Sequence, residues 1–139
     1  MRFKGVDHVG VRVTDMARAK RFYSDVLGLE PRPERPNWLG LDQGFPVHLM
    51  PASRDEAPGE LEPARHFALR VDRLEDVVSI LLAHGLTPFQ ATADQKHHRV
   101  IASAEDALDF GIGTVFVQDP DGNLVEFIEH GRGVFAGIG

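Results

Sequence analysis

The sequence predicts an α+β fold in which tandem βαβββ modules form an open, cup-shaped mixed sheet with helices outside. Three observations predict it. A period-2 alternation of apolar and polar residues occurs twice, at Val6 to Val13 and at His66 to Val71. Each is followed by a helical segment ending in Gly-Leu-x-Pro, first at Gly28, Leu29 and Pro31 and again at Gly85, Leu86 and Pro88. Each helix is followed in turn by strand-like material arranged as a hairpin. Self-similarity of this kind marks duplicated supersecondary units.

In the first copy, Val9, Val11 and Val13 alternate with His8, Gly10 and Arg12, the pattern of a strand with one buried face. The helix is DMARAKRFYSDVLGLEP, with Asp15 as candidate N-cap and Gly28 as the C-terminal stop. A strand is expected about Glu30 to Arg35, then WLGLD (Trp38 to Asp42) and PVHLMP (Pro46 to Pro51). SRDEAPGELEPA (Ser53 to Ala64), acidic and Pro-rich, reads as a linker. In the second copy, Phe67, Leu69 and Val71 alternate with His66, Ala68 and Arg70. The helix DRLEDVVSILLAHGLTP follows, with Asp72 and Gly85 in the capping places. A strand is expected about Pro88 to Ala93, then TVFVQD (Thr114 to Asp119) and LVEFIE (Leu124 to Glu129), joined by the hairpin signal Asp-Pro-Asp-Gly at 119 to 122. The stretch from Gln90 to Gly113 has no counterpart in the first copy and reads as an insertion. The expected organisation is one domain over residues 1–139, with module 1 at about 5–52, the linker at 53–64 and module 2 at about 65–130. A half of about 65 residues is marginal alone, so the two sheets are expected to share a concavity.

Composition narrows the function. The chain has 139 residues, 42% hydrophobic and 26% charged, as in ordinary globular proteins. Its net charge of −6 supplies no attraction to nucleic acid or to an anionic membrane. No cysteine is present, which excludes disulfides, thiolate metal sites and a thiolate nucleophile. MRFKGVDH does not resemble a signal peptide and no apolar run approaches a membrane span, so a cytoplasmic location is expected.

Seven histidines are present, and the repeat singles out three of them. His8 falls on His66, each at the start of the first strand of its copy. His48 falls on Glu126, each in the last strand, flanked as Val47-His48-Leu49 and Val125-Glu126-Phe127. If the sheets are related by a pseudo-twofold axis, His8, His48, His66 and Glu126 point into one cleft. Imidazole and carboxylate suit Fe, Mn, Co, Ni or Zn and leave positions open for substrate or water, so one divalent ion per site is expected. The alternative is a cleft lined by the same polar groups that binds a ligand without metal. His84, before Gly85, is expected to bond the last carbonyls of its helix, and His97, His98 and His130 to lie in loops or at the terminus.

The segments DHVGVRVTDMARAKRFYSDVLGLEP, HFALRVDRLEDVVSILLAHGL and FVQDPDGNLVEF resemble the vicinal oxygen chelate superfamily over about residues 5 to 130. That superfamily includes glyoxalase I, fosfomycin-resistance thiol transferases, type I extradiol dioxygenases, methylmalonyl-CoA epimerase and bleomycin-resistance binding proteins. The resemblance implies metal ligation by His8, His66 and Glu126, with His48 in the fourth position, where glyoxalase I carries a glutamate. It also implies a homodimer, often with each metal site built from two chains. Arg12 matches an arginine that glyoxalase I uses for the glutathione carboxylate, whereas Ala52 stands where a glutathione-contacting asparagine is expected. The extradiol acid/base pair has no match, since Phe116 and Leu108-Asp109 occupy its positions. Fosfomycin transferases share the His, His, Glu set and a Trp-Leu-x-Leu strand like Trp38 to Leu41, with Arg12, Lys96 or Arg99 as the available phosphonate partners.

The resemblance therefore implies a metal-dependent lyase or isomerase of the glyoxalase type. Its small substrate would present vicinal oxygens to an ion that stabilises an enediolate-like charge. Glu126 is the expected base and His48 a ligand with an acid/base alternative. Trp38, Phe110 and Phe116 are expected as apolar walls, and Arg12 and Arg99 as partners of an anionic group. The alternatives are another metalloenzyme of the superfamily, a dioxygenase or a thiol transferase, and a metal-free binding protein of the bleomycin-resistance kind.

Overall fold

Both alternating stretches form the first strand of a unit, followed by a helix and then by three strands in the first unit and four in the second. The computed structural model describes residues 1–41, 46–52 and 65–132. The chain divides into two units, Met1–Gly59 and Glu60–Gly139. The fold class is α+β, with a four-stranded and a five-stranded sheet, each mixing parallel and antiparallel pairs. Among the described residues, no helix is long and apolar enough to cross a membrane. Asp42 and the linker at 53–64 lie outside the described residues.

In the first unit, β1 (Val9–Val13) leads to α1 (Met16–Lys20), which continues as a π-helical turn over Arg21–Val26. Strands β2 (Glu30–Arg32), β3 (Arg35–Gly40) and β4 (Val47–Pro51) follow, in the sheet order β1-β4-β3-β2. Asp15 caps α1 as expected, its Oδ1 accepting from the Arg18 N–H at 3.1 Å. Gly28 sits at φ +81, where the helix turns out. The wider π turn brings the consecutive residues Phe22 and Tyr23 into the core together, their rings edge-to-face at 4.8 Å. Leu39, Val47 and Leu49 are fully buried with them.

In the second unit, β5 (His66–Val71) leads to α2 (Leu74–Ala83), then β6 (Phe89–Ala91), β7 (His98–Val100), β8 (Val115–Gln118) and β9 (Leu124–Glu129). The sheet order is β5-β9-β8-β6-β7. Leu74, Val78 and Leu81, at helical spacing, are the buried stripe of α2, which packs on β9. The helix closes with the Gly85 N–H on the Leu82 carbonyl and the Leu86 N–H on the Leu81 carbonyl, with Gly85 at φ +72. His84 is the C-cap, and its backbone N–H reaches the Ile80 and Leu81 carbonyls. The hairpin at 119–122 is held by Asp119, whose carboxylate accepts from the N–H groups of Asp121 and Asn123 and from the Asn123 amide.

Three details depart from the sequence expectation. Asp72 does not cap α2: the N-cap is Arg73, which makes no side-chain cap bond, and Glu129 Oε2 from β9 accepts the Leu74 N–H at 3.2 Å. The insertion after Gln90 is partly regular, because β7 pairs antiparallel with β6, so His98 is a strand residue stacked on Phe89 at 4.8 Å and not a loop residue. The first strand begins at Val9, which leaves His8 at its threshold.

Candidate functional site

In the first unit the parallel pairing of β1 and β4 sets Gly10 opposite His48. His8 lies two residues before Gly10, and alternation puts i and i+2 on one face of an extended chain. The His8 and His48 rings are 6.0 Å apart at 65°. Trp38, directly across from His48 in the β3–β4 register, joins them. It stacks on His48 at 4.0 Å and 13°, and meets His8 at 4.6 Å and 62°. His8 Nδ1 bonds Asp7 Oδ1 at 2.7 Å. A carboxylate only accepts, so this contact places a hydrogen on Nδ1 and leaves Nε2 as the nitrogen of a neutral ring that could ligate a metal.

The second unit repeats this arrangement with Glu126 in place of His48 and Phe116 in place of Trp38. β5 and β9 pair in parallel with Ala68 opposite Glu126, and His66 lies two residues before Ala68. Phe116 stands directly across from Glu126 in the β8–β9 register, as Trp38 does from His48. Phe116 is fully buried, lies edge-on to His66 at 6.1 Å and stacks on Phe89 at 5.5 Å. His66 Nε2 is 3.0 Å from Glu126 Oε2, with side-chain exposures of 34% and 8%. A carboxylate this buried is costly unless it is paired or ligating.

The donor set fits a divalent ion. Two ligands at about 2.1 Å from an ion and at right angles to one another are about 3.0 Å apart, the spacing of His66 Nε2 and Glu126 Oε2. The four expected ligands thus form two pairs, one in each unit. Among the described residues, no group of three or more His, Asp and Glu is gathered closely enough to hold an ion.

The remaining expected site residues are spread more widely. Arg12 is half-buried in β1, opposite Met50 in register. Arg99 lies in β7, exposed, with Nη1 3.7 Å from Asp109 Oδ1. Phe110 is half-buried, and its N–H donates to Oε1 of the buried Gln90, whose Nε2 donates to the Thr114 carbonyl. Gln90 also stands opposite Arg99 in the β6–β7 register, so one buried amide fixes both ends of the insertion.

Three residues beside the first pair were not singled out from the sequence. An open cleft of about 320 Å³ is lined by Asp7, Arg32, Arg35, Trp38 and Pro46. Asp7 was signalled by the Asp-His dipeptide at a strand entrance. Arg32 and Arg35 were signalled by two cations flanking Pro33-Glu34, the two-residue turn of the β2–β3 hairpin.

Comparison with known proteins places this geometry. Residues 5–127 match the model of the Glyoxalase/Bleomycin resistance protein/Dioxygenase superfamily, and the chain belongs to that superfamily. Many of its members are enzymes, and members commonly bind small molecules, commonly use a divalent metal and often dimerise. Virulence protein STM3117 of Salmonella typhimurium is 26% identical over 130 residues, covering 90% of this chain and 83% of that protein. A trivalent organoarsenical cleaving enzyme of Bacillus sp. (strain MD1) is 26% identical over 121 residues, covering 86% of this chain and 70% of that enzyme. The structure of a glyoxalase/dioxygenase from Nostoc punctiforme superposes with a TM-score of 0.65 at 18% identity, covering 91% of this chain and 90% of the other. At that identity the likeness is one of fold.

Proposed function

We propose that the protein is a divalent-metal-dependent enzyme of the glyoxalase type, a lyase or isomerase acting on a small substrate with vicinal oxygens. The observation that carries this reading is the register equivalence of two donor pairs, His8 with His48 and His66 with Glu126, each facing an aromatic residue on the neighbouring strand. In this reading His8, His48, His66 and Glu126 are metal ligands, the ion is Fe, Mn, Co, Ni or Zn, and the protein is a homodimer. When bound, the ion would supply Lewis-acid polarisation of a substrate carbonyl, which eases loss of the neighbouring proton. Glu126 takes that proton on a carboxylate oxygen, and its burial keeps water from competing for it. His48 ligates with its ring held against Trp38. Arg12 and Arg99 are candidate partners of an anionic substrate group and Trp38 and Phe110 candidate apolar contacts, while Phe116, fully buried, packs behind Glu126.

Elemental analysis of the purified protein tests this. About one divalent ion per chain is expected, and it is lost in His66→Ala and in Glu126→Ala while circular dichroism stays native. Metal content unchanged in both variants overturns the assignment. A second reading is a metal-free binding protein of the bleomycin-resistance kind. Protein that never takes up stoichiometric metal, yet binds small ligands, decides for it.

A further inference from the structure

The cleft beside the first donor pair has an unusual charge pattern. Arg32 and Arg35 are directly opposed across the β2–β3 hairpin, immediately flanking its turn. Like charges at directly opposed positions destabilise a hairpin, and opposite charges there favour it. Neither guanidinium is ion-paired among the described residues, and both side chains are exposed. Both line the 320 Å³ cleft together with the Trp38 indole. Asp7, the carboxylate in that cleft, is engaged by His8 Nδ1 at 2.7 Å. Two unpaired cations therefore face a volume near the lower end of the roughly 300–1,000 Å³ range of small-ligand sites, with an aromatic wall beside them.

From this we infer that the cleft binds a compact oxyanion, carboxylate or phosphonate, carried on a flat organic group. The guanidinium pair takes the oxyanion, because planar forks of donors match its oxygens. The Trp38 face takes the flat group. Trp38 also touches both imidazoles of the first donor pair, so a ligand seated here has its organic part beside them. The inference gives the substrate class of the site proposed above and rests on that reading for its catalytic meaning; binding itself needs no metal.

Trp38 is the sole tryptophan of the chain, so its fluorescence reports on this cleft alone. The full chain, stripped of metal with a chelator, is titrated with phenylphosphonate and with benzoate, and with benzyl alcohol as the neutral control. Saturable quenching is expected with both anions and not with the alcohol, and it weakens as ionic strength rises. In Arg32→Ala/Arg35→Ala the affinity for phenylphosphonate is expected to fall at least about tenfold, by loss of charge-assisted hydrogen bonds. These side chains are exposed, so circular dichroism and metal uptake remain those of wild type. No saturation in wild type, equal quenching by benzyl alcohol, or equal affinity in the double variant overturns the inference. Metal uptake is read separately. Anion binding without metal uptake upholds the cleft and removes the enzyme reading, whereas metal uptake without anion binding does the reverse.

Discussion

The two units share a strand order and a donor-pair geometry, and they differ most in one link of each repeat, Pro33-Glu34 in the first and residues 92–114 in the second. In the first unit β2 and β3 are joined by Pro33-Glu34 alone. In the second, residues 92–114 separate β6 from β8 and include β7. The first link ends in two exposed arginines over an open cleft, and the second is tied down from within. Gln90 is 1% exposed and uses both amide atoms, and Ile112 donates to the Ala91 carbonyl at 3.2 Å. Asp94, in the turn that begins this excursion, has its carboxyl held below the ordinary carboxylate value by the Thr92 hydroxyl and the Lys96 N–H. A duplicated scaffold has thus kept the strand register that sets its donors and diverged in the connection that borders them.

The sharpest way to break the comparison is at the one donor that differs. Glu126→Ala leaves a cavity of buried polarity beside His66 and should abolish both metal retention and turnover. His48→Ala should weaken metal binding only about 10- to 100-fold, the range for lost supporting contacts. His48→Glu makes the two pairs alike and should keep the metal. Competition against a chelator ranks the three, and equal affinity in wild type and His48→Ala removes His48 from the ligand set.

The next largest difference is in stability. Gly111 has φ +63, and a Cβ there would stand 1.9 Å from the Ala91 carbonyl oxygen, backbone that cannot yield. Gly111→Ala should cost about 3 kcal/mol or more, from strain plus the forced displacement of the insertion. Gly28 has φ +81 with nothing within 4 Å, so Gly28→Ala should cost only about 1 kcal/mol. Urea midpoints at equal slope give the comparison, and a Gly111→Ala loss no greater than that of Gly28→Ala would show that the insertion is not pinned at Ala91.

The smallest effect concerns the helix caps. Asp15→Ala and Glu129→Ala should each cost about 1 kcal/mol. Glu129 also faces Arg132 Nε at 3.4 Å, so Arg132→Ala separates the cap from the ion pair. Hydrogen exchange at the Leu74 amide should quicken in Glu129→Ala and stay unchanged in Asp15→Ala.

Which features could be read from the chain follows from how local their causes are. The alternations at Val9 to Val13 and His66 to Val71, the Asp15 cap and the stops at Gly28 and Gly85 are set by neighbours within a few residues, and they stand where expected. The equivalence of His48 and Glu126 was also legible, since duplication carries long-range register in the sequence. The cap of α2 was not. Asp72 has the right residue type at nearly the right place, but Glu129, 55 residues away, supplies the acceptor. The strand β7 was hidden because three residues inside a polar excursion give too short a pattern for periodicity to register. Arg32 and Arg35 look like ordinary solvated charge until the hairpin sets them opposite one another.

The Glu129 contact also orders events in time. The first helix closes its N-terminal turn with Asp15, three residues from the amide it caps, and can do so as soon as that segment exists. The second cannot complete its first turn until β9 has been made and laid parallel to β5, the last and least local pairing of its unit. Long-range closures of this kind are slow to form, because the chain must be drawn together before the contact rewards it. The Asp15 cap therefore needs only its own segment, whereas the Glu129 cap of the second helix needs β9 in place beside β5.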